Sequence, residues 1–206
     1  MATYPGAETW VPPRADLRAL DHAIQDCRGC DLYRDATQAV LGEGPGTARV
    51  ALVGEQPGDQ EDKAGRPFVG PAGRLLNRAL ADAGIDRDDT YVTNAVKHFR
   101  FTTRGESKRR IHKKPDVGHI VACRPWLTAE LAVVEPQVVV VLGAVAGRAL
   151  LGPSYRVTKQ RGQAVELPEG GIAVGTVHPS SVLRADDREA AYGEFVADLS
   201  TVAKLL

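Results

Sequence analysis

Two patterns of hydrophobic and polar residues alternate along the chain: short unbroken apolar runs and longer amphipathic stretches. The runs suit strands buried on both faces of a parallel sheet, and the amphipathic stretches suit covering helices. Residues 16–26 predict a short helix with Leu17, Leu20 and Ile24 on one face. Residues 49–53 predict a strand; residues 71–83 predict a helix stopped by Gly84 at the usual C-terminal capping place. A second strand is expected over 90–93, leading into Asn94. Residues 97–115 show no period and read as a loop. The helical pattern of 116–134 contains Pro125, which is expected to start a new segment. The valine run of 138–142 predicts a central strand. A short helix over 144–151, strands over 164–167 and 172–175, and a closing helix over 188–206 follow. This alternation predicts an α/β fold, one doubly wound domain spanning residues 1–206, with a central mostly parallel sheet between two helical layers. Residues 1–13, with Pro5, Pro12 and Pro13, are expected to be flexible.

With 206 residues the chain can bury a proper core. Its longest apolar run has five residues, 138–142, well short of a membrane span, and its first residues carry no apolar signal core. A cytoplasmic protein with no membrane partner is the expectation. The formal net charge is zero, which alone gives no support to a nucleic-acid partner. The distribution changes that reading. Residues 97–114 hold eight Lys or Arg against one acid, Glu106, with Phe99 and Phe101 interleaved. Such a patch neutralises phosphates, the sequence-independent part of nucleic-acid affinity. A solvated charge run is the plain alternative, but His112 sits within Lys108-Arg109-Arg110-Ile111-His112, where the surrounding cations can deliver it to a substrate.

The strand over 49–53 runs straight into Gly54-Glu55-Gln56-Pro57-Gly58-Asp59, then a segment containing Phe68, then a helix. In open parallel sheets ligands bind where strands end and loops lead into helices. A later strand feeds Val177-His178-Pro179-Ser180 in the same way. The three cysteines are an odd number and argue for metal or thiol chemistry rather than a disulfide framework. Cys27 and Cys30 have the spacing that closes around one metal or cluster edge. Cys123 is the third thiol and His98 the candidate fourth ligand, with His119 and His22 competing. Zinc and an iron–sulfur cluster fit this set equally.

Taken together, the Gly54-Glu55-Gln56-Pro57-Gly58 loop, Phe68, Thr93-Asn94 and His178-Pro179-Ser180 resemble the uracil-DNA glycosylase superfamily. The cysteines make the chain similar to its iron–sulfur branch. It departs from that branch at His98, where a third cysteine is usual, and in the Lys108–His112 pentapeptide. Both departures resemble the UdgX-type subgroup, which becomes covalently attached to uracil-containing DNA. The resemblance implies a three-layer α/β/α fold and a 4Fe–4S cluster held by Cys27, Cys30, His98 and Cys123, zinc remaining the alternative. It implies Phe68 stacking on uracil, Asn94 matching its Watson–Crick edge, and Gly54, Asp59 and Ser180 completing the base pocket. His178 would donate to uracil O2 and Glu55 would offset the sugar cation. His112 would capture that cation at C1′, swung there by its loop. Gln56 would hold the other ring nitrogen of His112. Lys108, Arg109 and Arg110 would contact DNA, Arg110 anchoring the loop on phosphate or on the protein. Uracil and uracil-containing DNA, single-stranded in preference, are the implied partners of a monomer. A turning-over glycosylase and a metal-stabilised nucleic-acid-binding module are the other readings.

Overall fold

The structure is a computed structural model describing residues 3–105, 109–167 and 170–206. In chain order its elements are α1 (Leu17–Ile24), β1 (Val50–Gly54), α2 (Asp59–Ala64), α3 (Pro71–Asp82), β2 (Thr90–Asn94), β3 (Phe101–Arg104) and β4 (Arg109–His112). There follow α4 (Val117–Val134), β5 (Val138–Leu142), α5 (Ala144–Leu151), α6 (Val157–Gln160), β6 (Ala164–Glu166), β7 (Ile172–Thr176), α7 (Pro179–Leu183) and α8 (Arg188–Ala203). The main sheet has the order β2-β1-β5-β7-β6. Four of its strands are parallel, and β6 lies antiparallel at one edge.

Alternation along the strands divides the core, because successive side chains point to opposite faces. Ala51, Val53, Val139 and Val141 pack with Leu20, Ile24, Trp126, Leu127 and Val145, from α1, α4 and α5. Val50, Leu52, Val138, Val140 and Leu142 pack with Leu76, Leu80, Phe195, Leu199 and Val202, from α3 and α8. The chain therefore has the expected helical layers on both faces of a mostly parallel sheet.

Three expectations change. Residues 3–13 are packed, not loose: Ala7 is buried, Gly6 N–H donates to Gly29 O at 3.0 Å, and Trp10 and Val11 lie against the core. They cover the Cys27–Cys30 turn, and that burial offsets the entropy of ordering them. Pro125 starts no new segment; α4 runs through it. The carbonyl deprived of its helical partner belongs to Val121, whose side chain is more than half exposed, so water can satisfy it. Although α4 is long and apolar enough to cross a membrane by length and composition alone, Cys123, Trp126, Leu127 and Glu130 are buried within this fold. Finally, the basic stretch is not a plain loop. Its strands β3 and β4 form an antiparallel ribbon with Phe101 opposite His112.

Candidate active site

The strand order reverses at β1, with β2 on one side and β5 on the other. The loops after these strands must diverge, leaving a crevice at their C-terminal ends. A cleft of about 680 Å³ opens there. The ends of β1, β2, β5 and β7 contribute Glu55 and Gln56, Asn94, Gly143, and Val177 and His178 to its lining. Phe68, His112, Lys114, Ser180 and Arg184 complete its chemistry. A second cavity of about 590 Å³ lies between α4 and α5 near the start of β5, and apart from Arg124, Thr128 and Glu135 its lining is apolar side chains and glycine.

The floor of the cleft is closely fitted. Asn94 is buried at the end of β2, and a Cβ on Gly54 would collide with both its Oδ1 and the Phe68 ring. Only glycine admits all three there. Phe68 has φ 54°, a left-handed conformation costly for a bulky residue. Its segment is fastened by Glu61, which accepts from Gly58 N at 3.1 Å and from Gly70 N at 2.8 Å. Glu61 joins the Gly58 turn to the Phe68 loop, a role absent from the sequence expectations. Its position three residues after the residue preceding α2 is a capping signature that could have revealed it.

His178 precedes α7, and its Nδ1 accepts from Ser180 N at 3.2 Å with Ser180 Oγ 2.9 Å away. Burial, His112 and Arg184 push its pKa down to about 4, so the ring is neutral at pH 7. With Nδ1 occupied as an acceptor, the ring's proton is assigned to Nε2, making that nitrogen the donor. The Phe68 and His178 rings lie near-parallel with centroids 6.1 Å apart.

His112 Nε2 lies 3.6 Å from Glu55 Oε1. Burial raises the Glu55 pKa, an effect opposed by Lys114 and Arg184; burial and Arg184 lower that of His112. The neutral imidazole is favoured, beside a carboxylate whose field two cations moderate. Residues 110 and 112 project from one face of β4, and 109 and 111 from the other. Arg109 and Ile111 are exposed, whereas Arg110 stacks over Phe99 and Phe101 at 5.5 and 5.0 Å.

That geometry gives three of these residues partners within the protein. Arg110 takes the protein, one of its two expected anchors: Nε is 2.5 Å from Asp59 Oδ1 and Nη1 is 2.6 Å from buried Asp62 Oδ2. Asp59 accordingly anchors the ribbon through Arg110, also accepts from Lys63, and is not among the cleft-lining residues. Gln56 does not hold the second nitrogen of His112. Its Nε2 donates to Arg100 O and Lys113 O, and its Oε1 accepts from Arg100 N, which clamps the backbone of both strands at the base of the ribbon. Its two amide protons are thereby used. Arg109 remains exposed, and Lys108 falls outside the described residues.

Cys27, Cys30, His98 and Cys123 are all buried on the α1–α4 side of the sheet. Trp126 Nε1 donates to Cys27 Sγ at 3.2 Å, and Lys97 N to Cys123 Sγ at 3.3 Å. Burial pushes the Cys30 and Cys123 thiols up to about 11 and about 12; Cys27 raises Cys30 further, and Cys30 and Cys27 raise Cys123. His98 is pushed down to about 4. Three thiols, a neutral imidazole and N–H donors aimed at sulfur suit a thiolate-bound metal or cluster. Among the described residues no three His, Cys, Asp or Glu side chains sit at metal-holding spacing. His119 is engaged elsewhere, its Nε2 2.9 Å from both Asp31 Oδ1 and Tyr4 OH.

A mostly parallel sheet whose cleft combines a buried amide, an aromatic ring, a carboxylate and two histidines defines an α/β protein with a polar cleft at its strand ends. The chain belongs to the uracil DNA glycosylase superfamily, whose family model matches residues 41–200. It is 35% identical to a type-4 uracil-DNA glycosylase of Thermotoga maritima over 174 residues, 84% of this chain and 86% of the relative. A type-4 uracil-DNA glycosylase of Pyrobaculum aerophilum is 34% identical over 192 residues, covering 90% and 92%. That of Archaeoglobus fulgidus is 32% identical over 200 residues, covering 92% and 94%.

Proposed function

We propose that this protein excises uracil from DNA and traps the resulting sugar on His112 in a single turnover, as in the UdgX-type subgroup. The observation that carries the reading is the 3.6 Å approach of His112 Nε2 to Glu55 in the cleft that also holds His178 and Asn94. Uracil must leave the base stack to be reached, and a single strand costs less to open than a duplex, so single-stranded DNA is the favoured substrate. Phe68 stacks on the base and the Asn94 amide pairs with its Watson–Crick edge. As the glycosidic bond breaks, its electron pair goes to uracil N1, and charge spreads to O2, where His178 Nε2–H donates. Glu55 offsets the cation left at C1′. The Nε2 lone pair of neutral His112 forms the new C1′–N bond; the Nδ1 proton passes to solvent, and the uracil anion takes one from solvent.

Cys27, Cys30, His98 and Cys123 would hold a 4Fe–4S cluster, with zinc the alternative. Its contribution is structural, fastening the segment that leads from His98 into the ribbon. The test mixes protein with a labelled uracil-containing single strand and runs a denaturing gel. A shifted band that requires uracil and disappears in His112→Ser supports the reading. Free abasic DNA without a shifted band points to a turning-over glycosylase, and equal binding with or without uracil points to a non-catalytic module.

A further inference from the structure

Lys97 is fully buried, and so is its partner Glu130 on α4. The three ammonium protons have three acceptors: Thr93 Oγ1 at 2.7 Å, the Asn94 carbonyl at 2.7 Å, and Glu130 Oε2. Glu130 Oε1 in turn accepts from Gly42 N at 2.7 Å, and from Tyr91 OH and Thr93 Oγ1 at 2.9 Å each. A buried ion pair is retained at a desolvation cost and is weak support for stability as such. This one is placed where β2 ends, and the carbonyl it caps belongs to the residue whose amide faces the cleft. The Asn94 Oδ1 and the Phe68 ring both lie where a Cβ on Gly54 would fall, so the amide sits in a closely fitted floor.

We propose that Lys97 is a positioning residue for base recognition: with Glu130 it clamps the Asn94 carbonyl, so that the Asn94 amide meets the uracil edge in register. The inference rests on the uracil-excision reading and deepens it. Misplacement of a recognition group by about 1 Å costs roughly 100-fold in rate. Fixing the backbone of Asn94 from behind is the contribution that an ammonium on its carbonyl can make without touching the base.

The experiment measures single-turnover uracil release from a labelled single strand by wild type, Lys97→Met, Asn94→Ala and the double variant. Lys97→Met is expected to slow release about 100-fold and to weaken binding of free uracil. In the Asn94→Ala background the same substitution is expected to change the rate by less than about 3-fold, since it acts through a group already removed. Equal losses in both backgrounds, or a wild-type rate for Lys97→Met, overturn the proposal. Should Lys97→Met fail to fold, Lys97→Met/Glu130→Gln leaves no buried charge and keeps an acceptor for Gly42, Tyr91 and Thr93. The same cycle then applies, with folding followed by thermal denaturation. A wild-type protein that releases no uracil refutes the excision reading itself and this inference with it; an active wild type with additive variants refutes the inference alone.

Discussion

Arg110 holds Asp62, a carboxylate with no exposed surface, through an Nη1–Oδ2 contact of 2.6 Å. The ribbon cannot leave the body of the protein without stranding that charge. His112, two residues further along the same strand face, is thus presented at the cleft rather than swung into it.

Replacing Arg110 with Ala is expected to cost on the order of 2 kcal/mol of stability, moderated because Thr37 N–H still donates to both Asp62 oxygens. Adduct formation should slow at least about 10-fold, since an unanchored ribbon no longer holds its reacting group in place. The salt dependence of DNA binding should be unchanged. Arg109→Ala should do the reverse, reducing the salt slope by about one unit while sparing the chemistry. Binding titrations across salt concentration, with gel-based adduct rates, compare the two; a lower slope for Arg110→Ala would contradict its anchoring role.

Gln56→Ala removes the clamp on Arg100 and Lys113. Adduct formation should fall about 10- to 100-fold. In a His112→Ser background, where only base release is read, the same substitution should matter little. An equal loss there would mean that Gln56 serves base cleavage and not the ribbon.

Acid should slow the reaction. The lowered pKa of His112 keeps its lone pair free to below the usual histidine range, and protonation under more acidic conditions blocks it. Glu55, with its pKa raised by burial, loses its charge on acidification earlier than an ordinary carboxylate. Both effects have one sign, so a plot of adduct rate against pH should be flat through neutrality and decline on the acid side. A rate that climbs with acidification would mean that a protonated histidine is required.

His178 links the cleft to stability. Its folded pKa of about 4 lies below the ordinary histidine value of 6.5. The unfolded chain therefore binds more protons between those values, so its stabilising contribution is complete above pH 6.5 and is lost as pH falls towards 4. On acidification from pH 6.5 towards 4, wild type should lose more thermal stability than His178→Gln. A wild type that loses no more stability than the variant over that range would reverse this assignment.

Metal content distinguishes the two candidate groups. Protein purified without oxygen should carry iron and sulfide and absorb visible light if the site holds a cluster, and a colourless zinc form if it does not. Cys123→Ser should lower the metal content of either form. Unchanged metal content would place the metal elsewhere in the chain.

Much of the architecture was legible because the strands are short and buried on both faces. The valines of β5 and the apolar run of β1 have no other economical use, and Gly84, with φ +77° just beyond α3, marks a helix end in any context. The segment that became β3 and β4 hid its nature. Its outer face is solvated and its inner face is covered by Arg110 and His112, so no apolar alternation reports the period. Pro125 misled for a related reason: its local cost is borne at an exposed turn of a helix stabilised by packing.

The residue types themselves, a carboxylate after β1, an amide at the end of β2 and a histidine after β7, were set by the chain alone, because parallel strands gather their C-terminal ends at one edge. Which partner each polar group takes was decided only by tertiary structure. Arg110 and Asp59 met each other instead of substrate, Gln56 found main-chain groups of the ribbon, and Lys97 found Glu130 thirty-three residues away. Such pairings depend on distances closed by packing a core, and linear spacing carries no record of them.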